Sequence, residues 1–189
     1  MLKTPKGLRL HIGVFGRRNV GKSSILNALV RQQVSIVSEV AGTTTDVVEK
    51  VMELKPIGPV VFIDTAGIDD VGALGRARVK QSQKAIDRTE LAVLVCDDWK
   101  EYETQLLELF AARKTPVVAV ANKSDLRENR DLEAHARQAG CDFVVTTNAA
   151  ANKGIERLRK AIIDSAPEEF LRPQTIIGHL ISPVDLLVL

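Results

Sequence analysis

Gly16-Arg17-Arg18-Asn19-Val20-Gly21-Lys22-Ser23 decides the fold. A glycine, four residues and then Gly-Lys-Ser is the spacing of a phosphate loop, and the context is right: Leu8–Phe15 reads as a buried strand and Lys22–Arg31 as a helix. Gly16 and Gly21 let the backbone curl so that successive N–H groups converge on a phosphate, and the helix adds its positive N-terminal end. The binding run covers Arg17, Arg18, Asn19, Val20, Gly21, Lys22, Ser23 and Ser24. Within it the Lys22 ammonium would bridge β- and γ-phosphates, and the Ser23 hydroxyl would ligate Mg²⁺.

Outward from this loop, apolar runs alternate with amphipathic segments. Strands are predicted at Pro59–Ile63, Leu91–Cys96, Pro116–Ala121 and Phe143–Val145, and an alternating edge strand at Asp46–Lys55. Helices are predicted across Gly75–Arg88, Glu101–Arg113, Arg130–Ala139 and Gly154–Ala166. Strands built almost wholly of Val, Ile, Leu and Ala are apolar on both faces, as in a parallel sheet covered on each side. The predicted fold is α/β: a P-loop NTPase three-layer sandwich with a mostly parallel six-stranded sheet, one antiparallel edge strand, and helices on both faces. Such sheets bind ligands beyond the carboxyl ends of their strands.

Four further segments fall at those ends or in the loops beside them: Gly42-Thr43-Thr44-Thr45-Asp46, Asp64-Thr65-Ala66-Gly67, Asn122-Lys123-Ser124-Asp125 and Asn148-Ala149. Asp64 closes a strand, where its carboxylate can hold Mg²⁺ through a water, and Gly67 offers an N–H to a γ-phosphate and a hinge to the next loop. The Asp125 carboxylate can accept from guanine N1–H and the exocyclic 2-amino group together. Adenine lacks that donor pair, so a buried Asp125 would be left unpaired against ATP. Asn122 would tie the loops together and the Lys123 stem would cover the base. Ala149 N–H can meet guanine O6, although Asn148 stands where Ser is commoner. Thr44 is the chosen hydroxyl that closes on Mg²⁺ when γ-phosphate is present, with Thr43 as the fallback.

Ile68 follows Gly67, where Ras-like enzymes have a glutamine that orients the attacking water. Isoleucine cannot do so. The Asn19 amide oxygen, with backbone carbonyls of 38–42, could instead ligate K⁺ beside the phosphates; the alternative is a turn residue bonded to its own backbone. Lys22, Thr44, Gly67 and Asn19 are therefore the catalytic candidates. Asp69 and Asp70 could position water or be solvated loop charges.

Composition bounds the rest. The 189 residues are 45% hydrophobic and 26% charged, enough for one domain with a core. Net charge is +2, from 26 Lys and Arg against 24 Asp and Glu, which gives no support for broad binding to nucleic acid or membrane. Cys96 and Cys141 read as buried free thiols, His11 as a satisfied core or edge histidine, and His135 and His179 as surface residues. Trp99 and Tyr102 read as packing residues, with a partner-facing patch as the alternative. Residues 1–7 carry no apolar leader run and no stretch is long enough to span a bilayer, so the expected location is cytoplasmic.

Taken together, the motifs over about Leu8 to Ala166 resemble the TrmE–Era–EngA branch of translation-factor-class GTPases. The resemblance implies potassium-activated hydrolysis marked by Asn19 and a hydrophobic residue at Ile68. Longer stretches are similar to the FeFe-hydrogenase maturation GTPase family, HydF: Gly16-Arg17-Arg18-Asn19 (Arg18 where relatives have Pro), Ala41–Asp46, Met52–Val60 and Asp64–Gly75. That resemblance implies three domains: a GTPase domain, a dimerisation domain making the full-length protein a homodimer, and an iron–sulfur domain whose ligands lie outside this chain, so that no cluster is expected here. It also implies a scaffold role with two radical-SAM maturases and the hydrogenase as partners. The corresponding division is a tail at 1–7, a GTPase domain at 8–171, and at 172–189 a linker with the truncated start of the dimerisation domain, Val184 standing where that family has Gly. The expected activity is Mg²⁺-dependent, K⁺-stimulated, slow hydrolysis of GTP to GDP. Alternatives are a ribosome-assembly or tRNA-modification GTPase, or a GTP-gated binding module with negligible turnover; a P-loop phosphotransferase is opposed by Asn122–Asp125.

Overall fold

A computed structural model of the chain describes residues 9–31, 38–40, 48–65, 83–125 and 130–171. Its sheet has seven strands in the order β2-β3-β4-β1-β5-β6-β7. In chain order these are β1 Leu10–Phe15, β2 Ser38–Val40, β3 Val48–Leu54, β4 Gly58–Asp64, β5 Leu91–Cys96, β6 Val117–Ala121 and β7 Phe143–Thr146. The strands β4, β1, β5, β6 and β7 run parallel, and β3 is antiparallel to β4. The expected six strands are therefore present. A seventh, the three-residue β2, pairs antiparallel with the outer side of β3, so that β3 is one strand in from the edge.

The helices are α1 Lys22–Arg31, α2 at 83–88, α3 Glu101–Ala112, α4 Arg130–Gln138, α5 Ile155–Asp164 and α6 Glu168–Leu171. For the helix expected across Gly75–Arg88, only 83–88 falls within the described residues. Alternate side chains of each central strand serve opposite faces, which is why those strands are apolar throughout. Leu91, Val93 and Val95 join Ile25, Leu26, Leu29, Leu158 and Ile162 in the largest core cluster, with α1 and α5. Their neighbours Ala92 and Leu94 pack with Ile86, Phe15 and Phe110 under α2 and α3, where the two phenylalanine rings meet at 5.0 Å. Each such buried Leu, Val, Ile or Phe contributes roughly 1.5–3 kcal/mol of transfer free energy.

Trp99 packs against the clusters on the α3–α4 face, and its indole N–H donates to Thr104 Oγ1 at 3.1 Å, in line with a packing role. His11 is paired with Glu90, which accepts from the His11 backbone N–H at 2.8 Å, and His135 is exposed. Both cysteines are buried and free. Among the described residues no helix is long and apolar enough to cross a membrane. Because β4, β1, β5, β6 and β7 run parallel, their carboxyl ends open on one rim. The candidate site is built there.

Candidate nucleotide-binding site

The loop after β1 turns on three residues with positive φ: Gly16 at 141°, Asn19 at 63° and Gly21 at 101°. Asn19 holds a left-handed conformation that Asn tolerates better than most side chains, and its amide is exposed. Lys22 is 94% buried in the first turn of α1. Its ammonium donates to the Gly16 carbonyl and, at 2.9 Å, to the Arg17 carbonyl, so the cation is held over the loop. Ser23 and Ser24 are exposed beside it. Asp64 ends β4 opposite Val14, and the neighbouring Thr65, fully buried, donates its hydroxyl to the Val14 carbonyl.

Asn122 is the hub. It is buried at the end of β6, where its Nδ2 donates to Val20 O at 2.9 Å. Its Oδ1 accepts from Thr147 Oγ1 at 3.0 Å and from Ala149 N–H at 3.3 Å, while its own N–H bonds Cys96 O at 2.8 Å. The side chain and backbone of this one residue thus join the phosphate loop, β5, β6 and the loop after β7. Next to it Lys123 adopts φ 59° and donates to Asp97 Oδ2 at 3.0 Å. Asp125 is exposed, contrary to the buried carboxylate that the guanine argument assumed. Asn148 is buried, but its Oδ1 is used within its own turn, accepting from Ala151 N–H at 3.0 Å.

The Arg17 side chain turns to the first turn of α3. Its Nε donates to Glu103 Oε1 at 2.8 Å and its Nη2 to the Asp98 carbonyl at 2.8 Å. Burial works against the Arg17 charge; the Glu103 hydrogen bond and the charges of Glu103, Asp97 and Asp98 outweigh it, and the pKa is raised. Arg18 is exposed. Thr43, Thr44, Gly67, Ile68, Asp69 and Asp70 lie outside the described residues, as do residues 172–189. Sequence reasoning missed Thr65, Thr147, Asp97 and Glu103. The first three follow strand ends, a signal that could have found them, and Glu103 sits three residues past the N-cap of α3, where a capping glutamate belongs.

A switch-point rim carrying a phosphate loop, a strand-ending aspartate and an Asn-Lys-Ser-Asp turn defines a P-loop GTPase domain of the TrmE, Era and EngA type. The model of the family described as 50S ribosome-binding GTPase matches residues 11–123, and the chain belongs to that family. The tRNA modification GTPase MnmE of Bacillus licheniformis is 35% identical over 151 residues, covering 79% of this chain and 33% of that protein. MnmE of Bacillus thuringiensis is 35% identical over 153 residues, 80% and 33% of the two chains. This chain thus spans a third of the length of those curated relatives. Among solved structures, an Era variant from Aquifex aeolicus bound to GDP·AlF4⁻ matches with a TM-score of 0.64 and 25% identity, over 83% of this chain and 56% of that one. The G domain of the T. maritima FeoB iron transporter shares the fold at a TM-score of 0.62 and 24% identity, over 84% and 99%. The protein is a GTP-binding domain that hydrolyses GTP.

Proposed function

We propose that residues 8–171 form a Mg²⁺-dependent, K⁺-stimulated GTPase domain, working in the cytoplasm as a nucleotide-gated part of a longer protein. The observation that carries this is the Asn122 hub, which fastens the phosphate loop to the Asn122–Asp125 turn so that one nucleotide meets both. Backbone N–H groups of the 16–24 loop bind the phosphates, Lys22 bridges β and γ, and Asp125 accepts from the guanine edge while Lys123 covers the ring. Ser23, in the first turn of α1, and Asp64, at the end of β4, supply a hydroxyl and a carboxylate, the hard oxygen donors Mg²⁺ takes. With Thr44 they would hold the ion, which when bound neutralises charge on the phosphate oxygens. The exposed Asn19 amide oxygen is a donor that K⁺ would take, and Gly67 N–H would meet the γ-phosphate. Since Ile68 cannot orient water, intrinsic turnover is slow.

For the task of the longer protein, tRNA modification is the reading the relatives support, because MnmE is what this chain is similar to over four-fifths of its length. Hydrogenase maturation, with radical-SAM maturases and the hydrogenase as partners, rests on the sequence resemblance over Gly16–Asn19, Ala41–Asp46, Met52–Val60 and Asp64–Gly75. Titration with GDP and ADP tests the site: GDP binding at least 100-fold tighter supports it, and parity overturns it. Complementation separates the tasks. With this chain exchanged for the GTPase domain of each full-length protein, restored tRNA modification in cells lacking MnmE supports the first, restored hydrogenase activity in cells lacking its maturation GTPase supports the second, and restoration of neither rejects both.

A further inference from the structure

Where β1, β5 and β6 end, the charged side chains are paired with one another. Glu103 is fully buried, and both of its carboxylate oxygens are used: Oε1 accepts from Arg17 Nε at 2.8 Å and Oε2 from the Lys100 N–H at 3.0 Å. Arg17 also reaches the Asp98 carbonyl at 2.8 Å and lies 3.8 Å from Asp97 Oδ1. Asp97 in turn holds Lys123 at 3.0 Å, and Asp98 holds Lys100 at 3.3 Å. Three cations and three carboxylates balance, so the cluster supplies no net charge to a phosphate. A carboxylate this deeply buried is strongly unfavourable unless paired, and its pairing ties the first turn of α3 to the phosphate loop.

We infer that Glu103 is a positioning residue of the phosphate site, acting through Arg17 to fix the Gly16 and Arg17 carbonyls on which the Lys22 ammonium rests. The inference deepens the nucleotide reading and depends on it. A free arginine in a phosphate loop would be read as a phosphate ligand. Here the guanidinium faces away to α3, engaged by residues more than 80 positions along the chain. What it contributes to binding is the shape of the loop.

The test is a double-mutant cycle on the chain, with Arg17→Gln, Glu103→Gln and the pair, titrated with GDP and with IDP, whose base lacks the 2-amino group. Each single change is expected to weaken GDP by about tenfold, the double by no more than the weaker single, and the GDP-to-IDP preference to stay fixed. Because Arg17 is 29% exposed, it gives an arm independent of the buried carboxylate: Arg17→Lys, which keeps a cation for Glu103, should recover part of the loss. Losses that multiply, unchanged GDP affinity, a fallen GDP-to-IDP preference, or no recovery by lysine would overturn the pairing. A wild-type chain that fails to bind GDP would instead reject the nucleotide reading.

Discussion

Gly21 is glycine for two independent reasons. Its φ of 101° is costly for any side chain, and a Cβ built there would stand 2.2 Å from Asn122 Nδ2. Gly21→Ala therefore has to break the approach of the phosphate loop to its hub. The expected outcome is loss of measurable GDP binding with destabilisation of about 1–3 kcal/mol by urea unfolding; retained binding would mean the loop and Asn122 are not coupled. Asp125 makes a different kind of prediction, because its exposure leaves it free to exchange partners. Asp125→Asn replaces an acceptor by a donor, which suits the C2 carbonyl of xanthine and not the guanine amino group. Competition binding should show preference passing from GDP to XDP. At this scale the sequence was readable wherever chemistry dictates a residue locally, as at Gly16, Lys22 and Asn122. The pairing of Glu103 was not readable, since its partner Arg17 is 86 positions away and meets it only because β1 and β5 are neighbours.

Among the elements, α5 shows what periodicity can deliver. Ile155, Leu158, Ala161 and Ile162 recur on one helical face, and all four are buried against the sheet. Leu158→Ala should cost roughly 2–5 kcal/mol of unfolding free energy, read from denaturant midpoints, while the native protein keeps its GDP affinity. A change under 0.5 kcal/mol would mean α5 is not part of the core. The elements that escaped prediction are the short ones. Ser38–Val40 and Glu168–Leu171, of three and four residues, are too brief to express a period, and β2 exists only because β3 offers it a free edge. The central strands were legible because being apolar on both faces has one common cause, a sheet covered on both sides.

For the whole molecule, the two thiols report on cooperativity and alkaline stability. Burial is the main cause that raises both, Cys141 from 9.0 to about 11 and Cys96 further. A raised native pKa means that the unfolded chain ionises first as pH climbs. The contribution is intact below pH 9.0 and is lost as pH rises through about 11, so the thermal midpoint should fall over that window. Both thiols should resist a disulfide reagent at pH 8 and react together in denaturant; rapid reaction of either in the native protein would contradict their burial. The most direct test of the whole scheme is phosphate release from GTP by this chain with Mg²⁺, in matched KCl and NaCl, with ATP as the control and Asn19→Ala beside the wild type. The expected result is slow GTP turnover, faster in KCl, absent with ATP, and no longer K⁺-stimulated in the variant. Equal turnover of GTP and ATP, or none of either, would contradict the assignment of this rim as a guanine-nucleotide hydrolase.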